Sequence, residues 1–342
     1  MLLQVPSFGF YLILMLVVSL TSETPMHTLK ATLVFIAVTL VFIYVGQEYT
    51  MKEIFILLVW YHSVNVLLSL FFGTSSTDWT GIYSHKNFFG GTMALAAVVL
   101  YLQSVRVPKY RLLFLSLAAL GVFLVQQSHG GMAKVVLIVL IALLIFLRFI
   151  RKLPPRLAFS SMALFLAVGI SFVILITTNA EYIIVEKLGK DMTFTGRTYI
   201  WESVAKVNKR PWFGYGYDGF WQPWRGIDNP AYLVRVNDHM VGHSHNGFWE
   251  IRLEVGWIGL ALFVHSFIVN IYYGILHLTR NKAPESELSL LIFTWIIIIA
   301  VTEVYISRIT THWIFYVLMT TRLALNHAGS SRLDTKKPNM FN

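Results

Sequence analysis

One polar interruption in an otherwise apolar chain limits what this sequence can fold into. Ten stretches approach the ~20 largely apolar residues that cross a bilayer core: roughly 3–21, 30–47, 53–72, 88–104, 112–127, 133–150, 157–178, 248–277, 286–306 and 309–325. Only the segment from about Asn179 to Gly247 breaks the series. Helices keep every backbone N–H and C=O paired inside hydrocarbon, so apolar runs of this length read as helical spans. The expected fold is an all-α polytopic membrane protein of about ten transmembrane helices. One long extracytoplasmic loop would carry short amphipathic helices. Four parts follow from this pattern: a bundle over 1–178, the loop over 179–247, C-terminal helices over 248–326 and a tail over 327–342.

Composition supports a bilayer setting, with 13% of the 342 residues charged against about 25% in soluble domains. Met1 to Leu20 has no basic flank and no small-residue cleavage site, so it reads as a first span or interfacial segment rather than a signal peptide. The chain has no cysteine, which excludes disulfides, thiolate nucleophiles and cysteine-ligated metals.

Sidedness comes from Lys and Arg in the short connections. One side holds Lys52, Arg106, Lys109, Arg111, Arg148, Arg151, Lys152, Arg156, Arg280 and Lys282, and the tail adds Arg322, Arg332, Lys336 and Lys337. The other side holds only Lys30, Lys86, Lys134 and Arg308. This 14-to-4 asymmetry puts both termini in the cytoplasm and the long loop outside. The loop mixes eight Lys/Arg with seven Asp/Glu, so the net charge of +10 does not describe a nucleic-acid-binding arm.

Inside the loop, Ile200, Trp201, Val204 and Val207 repeat at helical spacing, which predicts an amphipathic helix over Thr198–Val207 lying on the membrane surface. Arg197 stands at its start, where free N–H groups and a guanidinium fork suit phosphate oxygens. It could equally tie the helix to loop carbonyls or headgroups. An aromatic run follows, including Trp212, Tyr215, Tyr217, Trp221 and Trp224 among glycines. Flat rings of this kind suit sugar faces, and they suit an interfacial belt as well.

Beyond it, His239, His243 and His245 could ligate a metal, although no strong fourth ligand or His-Glu-x-x-His accompanies them. The alternative is that His245, at the positive end of the next helix, is a neutral general base. Asn246 or Ser244 would cap that helix. Arg252, seven residues on, would share the face of His245. Smaller polar clusters at Asp78, His85, Lys86 and Asn87, at Ser128-His129-Gly130-Gly131, and at Arg308 and His312 fall on the same predicted side.

Four of these elements, in order, resemble the bacterial O-antigen ligase and exopolysaccharide polymerase family (Wzy-type and ExoQ-like proteins). They are Ser84-His85-Lys86-Asn87-Phe88-Phe89-Gly90, Thr195-Gly196-Arg197-Thr198-Tyr199-Ile200-Trp201, Arg210-Pro211-Trp212-Phe213-Gly214-Tyr215-Gly216, and His245-Asn246 with Gly256-x-x-Gly259. The resemblance implies a glycosyltransferase in the bacterial inner membrane, with a periplasmic site, no metal and no cofactor. Its donor would be an undecaprenyl-diphosphate-linked glycan. His245 would be the essential loop histidine and Arg197 the diphosphate-binding arginine.

The acceptor would be another lipid-linked repeat unit in a polymerase, or a lipid A core in a ligase. Membrane lipids and polysaccharide-assembly proteins would be its surroundings. Candidate substrate contacts are Arg252, Lys86, His85, His129, Arg308, Asn246, Tyr215 and Tyr217. Two departures stand out. The family's Ser-Arg pair is replaced by Ser128-His129, and about ten spans stand where around twelve are common. A transporter is the reading from another class. It predicts mid-span polar residues and broken helices, of which His62, Asn65, His265 and Asn270 are the main instances.

Overall fold

The computed structural model describes residues 4–72, 79–181, 196–236 and 239–335. The positions Asp78 and Thr195, singled out in the sequence, lie outside them. Eleven α-helices are present among the described residues: α1 (Pro6–Leu20), α2 (Pro25–Glu48), α3 (Met51–Phe71), α4 (Lys86–Arg106), α5 (Arg111–Gln127), α6 (Gly131–Ile150), α7 (Pro155–Glu181), α8 (Gly196–Val207), α9 (Gly247–Arg280), α10 (Leu288–Ala300) and α11 (Thr311–Thr335). Proline opens α1, α2 and α7, where its missing N–H goes unmissed and its fixed φ suits the first turn. At α3 the Thr50 hydroxyl and the Glu53 carboxylate close a reciprocal capping box.

The chain is an all-α multi-pass membrane protein. Among the described residues, seven helices are long and apolar enough to cross a bilayer, namely α2 to α7 and α9. The expectation of about ten spans is thereby reduced. At 15 and 13 residues, α1 and α10 are short of a full crossing at 1.5 Å rise per residue. The 25-residue α11 is interrupted by Arg322, Asn326 and His327, which lower its hydropathy. One departure from pure helix is a two-residue antiparallel pairing, Arg235–Val236 with His239–Met240.

Two compact units emerge, and they do not follow the four sequential parts. The first comprises Met1–Tyr44, Ile170–Asn270 and Ala300–Val317, and the second Val45–Gly169, Ile271–Ile299 and Leu318–Asn342.

In the second unit α4 is the central helix, 83% buried over its apolar window. Its Gly90, Gly91, Ala94, Ala96 and Ala97 admit close neighbours, as small residues do in membrane bundles. A Cβ on Gly121 of α5 would already touch the Ala97 backbone at 3.3 Å. The indole of Trp295 donates to the Gly91 carbonyl at 2.8 Å.

In the first unit an aromatic core joins Phe8 and Tyr11 of α1, Phe35 of α2, Phe263 of α9, and Trp313 and Tyr316 of α11. The Trp313 indole donates to Thr39 at 2.8 Å, so the buried N–H is satisfied.

The predicted amphipathic helix is α8, but its apolar face does not lie on a membrane. Ile200 and Val204 are buried in a small protein core with Tyr215, Phe220, Trp221, Ala231, Val234 and Leu253. The aromatic run folds over α8 because it is the apolar surface within reach.

Candidate active site

The site is built around the turn that enters α9. Asn246 accepts hydrogen bonds from the backbone N–H groups of Phe248 and Trp249 at 2.9 and 3.0 Å. Its own amide donates to the Val301 carbonyl at 2.8 Å. Glu250, one turn into the helix, reaches back and accepts from the Ser244 N–H and hydroxyl at 3.1 and 2.7 Å. The Trp201 indole of α8 donates to the Ser244 carbonyl at 2.8 Å.

Both neighbours of His245 are therefore pinned and buried, while His245 itself is half-buried. It is held at φ +52°. A non-glycine residue stays in this left-handed region only when its surroundings over-determine it, and such residues cluster at functional sites.

His245 has a second imidazole against it, with ring centroids 3.9 Å apart from His243. The His245 N–H donates to His243 Nδ1 at 3.3 Å, which leaves the neutral His243 ring its proton on Nε2. Burial holds the His243 pKa below its ordinary value. Glu250 and Glu303 work against that shift, and Arg308 and Arg197 with it. A neutral His243 avoids placing two cationic rings side by side.

The same four charges place Arg197, Glu250, Glu303 and Arg308 around this turn. Arg197, at the second residue of α8, faces the Glu303 carboxylate at 3.5 Å. Burial lowers its pKa, with Glu303 opposing. Arg308 bridges Glu250 and Glu254 at 2.6 and 2.5 Å. Burial alone would lower the Arg308 pKa, and the two carboxylates more than reverse it.

A backbone interlock fixes this turn to the aromatic loop. Within α9, Gly256 adopts φ 69° and ψ −172°, a region essentially reserved for glycine. The break frees the Leu253 and Glu254 carbonyls, which accept from the Tyr215 and Gly216 N–H groups at 2.8 and 2.9 Å. In return the Trp257 and Ile258 N–H groups donate to the Pro211 and Trp212 carbonyls at 2.9 and 3.3 Å. A Cβ at Gly256 would stand 2.0 Å from the Trp212 backbone, and one at Gly214 2.5 Å from that of Glu254. The two glycine motifs are thus halves of one joint, in which four backbone hydrogen bonds pair peptide groups that the helix break exposes.

Several expectations change on this geometry. Tyr215 and Tyr217, expected to meet glycan, are 1% and 6% exposed. The Tyr215 hydroxyl accepts from the Lys209 N–H at 2.8 Å, and Tyr217 packs on Phe35 at 4.8 Å. The exposed rings of this loop include Trp212, Phe213 and Trp224. Asn246 is occupied as a cap, and the Arg308 charge is matched by two carboxylates.

Arg252 does not share a helix face with His245, because α9 begins only at Gly247. Its guanidinium sits over Trp249 and Trp257 at 4.6 and 4.3 Å. His243 and His245 are in contact, but among the described residues no group of three or more His, Asp or Glu that could hold a metal is formed with them or with His239.

His85, Lys86 and His129 belong to the second unit. His85 caps α4, its Nδ1 accepting from the Asn87 N–H at 3.3 Å. A Cβ on Gly130 would approach Asn87 Oδ1 at 3.7 Å, so the α4 start and the Ser128–Gly131 turn are brought together. His129 is exposed at φ +51°, and its turn repeats that of His245. In each, the preceding serine hydroxyl accepts from the following N–H, Gly130 at 3.2 Å and Asn246 at 3.3 Å.

Glu250, Glu254 and Glu303 escaped sequence reasoning. Two carboxylates four apart on an apolar helix were the available signal. Nothing comparable marks Glu303, whose partner is remote in sequence.

Comparison with known proteins bears on the same segment. Residues 113–264, from α5 into α9, match the family model described as O-antigen ligase. The chain is 28% identical over 247 residues to the exopolysaccharide production protein ExoQ of Rhizobium meliloti (strain 1021), covering 66% of this chain and 55% of that protein. The match therefore spans about half the length of that curated relative. The matched segment contains Arg197, His245 and Arg252, so the part of the chain that is similar to O-antigen ligases is the part that carries this site.

Proposed function

We propose that this protein is a membrane glycosyltransferase that polymerises undecaprenyl-diphosphate-linked repeat units on the outer face of the bacterial inner membrane. The observation that carries the reading is His245, a strained imidazole presented between two pinned and buried neighbours with Arg197 held nearby. The acceptor hydroxyl loses its proton to His245 as its oxygen bonds to the anomeric carbon of the donor glycan. The bond from that carbon to phosphate breaks, and the lipid diphosphate leaves with the electron pair. A positioned base contributes typically about 10²–10⁴-fold.

Arg197 meets the charge that grows on the leaving group. Glu303 holds its fork in place, so the stabilisation needs little reorganisation. Polymerisation is favoured over ligation by the exopolysaccharide relative. The family description names ligation, in which a lipid A core would be the acceptor.

The test is transfer by the full-length protein in nanodiscs, with a lipid-linked repeat unit as donor. His245→Ala should abolish transfer while the protein stays folded. Arg197→Lys should lose most of it, because an ammonium lacks the bidentate fork. Transfer should survive EDTA. A His245→Ala protein that still transfers, or inhibition by chelator reversed by zinc, would overturn the mechanism.

A further inference from the structure

A polar cavity of about 430 Å³ lies in the second unit, between the C-terminal end of α9 and the later turns of α11, and the mechanism above does not use it. Its wall includes His277, Arg280, Asn281, Arg322, Asn326 and His327 and, among the described residues, no Asp or Glu. We propose that it is a binding site for a phosphate group, most simply the anionic headgroup of a phospholipid.

The charge in this wall is not internally matched. Among the described residues, no carboxylate lies within ion-pair distance of Arg280 or Arg322. The Arg322 fork, from Nε and Nη2, is instead donated to one neutral amide oxygen, Asn326 Oδ1, at 3.1 and 2.8 Å, and its Nη1 reaches the Tyr49 carbonyl at 3.4 Å. A guanidinium answered only by neutral oxygens keeps its full charge, and the two parallel N–H groups of its fork fit two oxygens of an anion that displaces the amide. The nearest acidic influences are engaged elsewhere. Glu53 acts on Arg322 but accepts from the Thr50 N–H and hydroxyl at 2.8 Å each. Glu285 acts on His277 but pairs with Arg106 at 3.4 Å.

The rest of the wall is held ready for an anion. His327 stacks on Tyr273 with centroids 4.4 Å apart, and its Nδ1 is buried without a hydrogen-bond partner. Asn281 braces His277, its amide 3.1 Å from Nδ1. Basic pockets between membrane helices recognise phospholipid headgroups by this chemistry. The volume falls within the range of small-molecule sites.

The experiment titrates the full-length protein in detergent with dihexanoyl-phosphatidylglycerol, with inorganic phosphate, and with uncharged dihexanoylglycerol, and reads binding by native mass spectrometry. The phospholipid should bind saturably and the uncharged lipid should not. Affinity should fall about tenfold or more in the Arg280→Gln/Arg322→Gln double variant. It should fall similarly in Asn326→Asp, which places a carboxylate in the Arg322 fork and keeps the fold. Saturation by inorganic phosphate as well would identify the bare phosphate as sufficient, and saturation by the phospholipid alone would assign a headgroup. Absence of saturable binding by both phosphate probes, or unchanged affinity in Asn326→Asp, overturns the proposal.

Discussion

Gly256→Ala tests the joint on which the site rests. The glycine occupies a backbone region that costs other residues about 1–3 kcal/mol. Its added Cβ would also stand 2.0 Å from the carbonyl carbon and oxygen of Trp212. Backbone on both sides cannot give way by a rotamer change, so the loop over Pro211–Gly216 has to withdraw. Withdrawal breaks up to four backbone hydrogen bonds, those of Tyr215, Gly216, Trp257 and Ile258, at about 1 kcal/mol each. With half of them lost, strain and hydrogen bonds together come to about 3–5 kcal/mol. Amide exchange at Tyr215 and Gly216 should then rise by about 10² to several 10³-fold, since 1.4 kcal/mol is tenfold. Gly242→Ala is the control, because nothing lies within 4 Å of its Cβ position. Hydrogen–deuterium exchange on the purified protein reads both variants. Protection of Tyr215 and Gly216 that is equal in Gly256→Ala and wild type would refute the interlock.

Three further outcomes are expected. Arg308→Gln leaves Glu250 and Glu254 buried without their cation, which should destabilise the first unit by about 3–5 kcal/mol in thermal unfolding; an unshifted midpoint would contradict the bridge. His243 has a folded pKa depressed below its ordinary 6.5, so the unfolded state binds more protons. Its stability contribution should be complete above pH ~6.5 and fall as pH drops through the folded pKa. Loss of transfer on that acid limb should be shallower in His243→Asn, and identical profiles would argue against it. For topology, cysteines at the exposed positions Asp228 and Lys152 should react with impermeant maleimide in intact cells at Asp228 only, and the reverse would invert the orientation.

The legible parts of this protein were those governed by periodicity and capping. Spacing of Ile200, Trp201 and Val204 revealed α8, and Asn246 before an apolar run revealed the start of α9. What the apolar face of α8 packs against was not legible, because an amphipathic stripe looks the same toward lipid and toward protein. The aromatic–glycine run misled for a related reason. Tyr215 and Tyr217 are as suited to sugar as to a core, and only the chain's return over α9 decides between them. Gly256-x-x-Gly259 was visible as a motif, but its cause is a peptide strand forty residues upstream. Membrane span number suffered at α10 and α11, where apolar runs pass through Glu303, which the fold pairs with Arg197, and through Arg322, whose fork it gives to a neutral amide.

Charge matching around His245 separates two arginines that the sequence left equivalent. Arg308 is answered by Glu250 and Glu254, and Arg197 faces Glu303. Arg252 has no ion pair among the described residues, lies over two indoles, and keeps its Nε buried without a hydrogen-bond partner. A dianionic leaving group gains most from a cation not already neutralised, since one flanked by two carboxylates presents no net positive charge. Arg252, rather than Arg308, is therefore the expected second diphosphate contact in the first unit. Arg252→Gln should raise KM for the lipid-linked donor by about tenfold or more, with an unchanged unfolding midpoint. Arg252→Lys should recover only part of the loss, because an ammonium keeps the charge without the planar stacking surface. Arg308→Lys should show the opposite division, a lowered midpoint with donor KM near wild type in the protein that remains folded. If Arg308→Lys raised donor KM while Arg252→Gln left it unchanged, the assignment would be reversed.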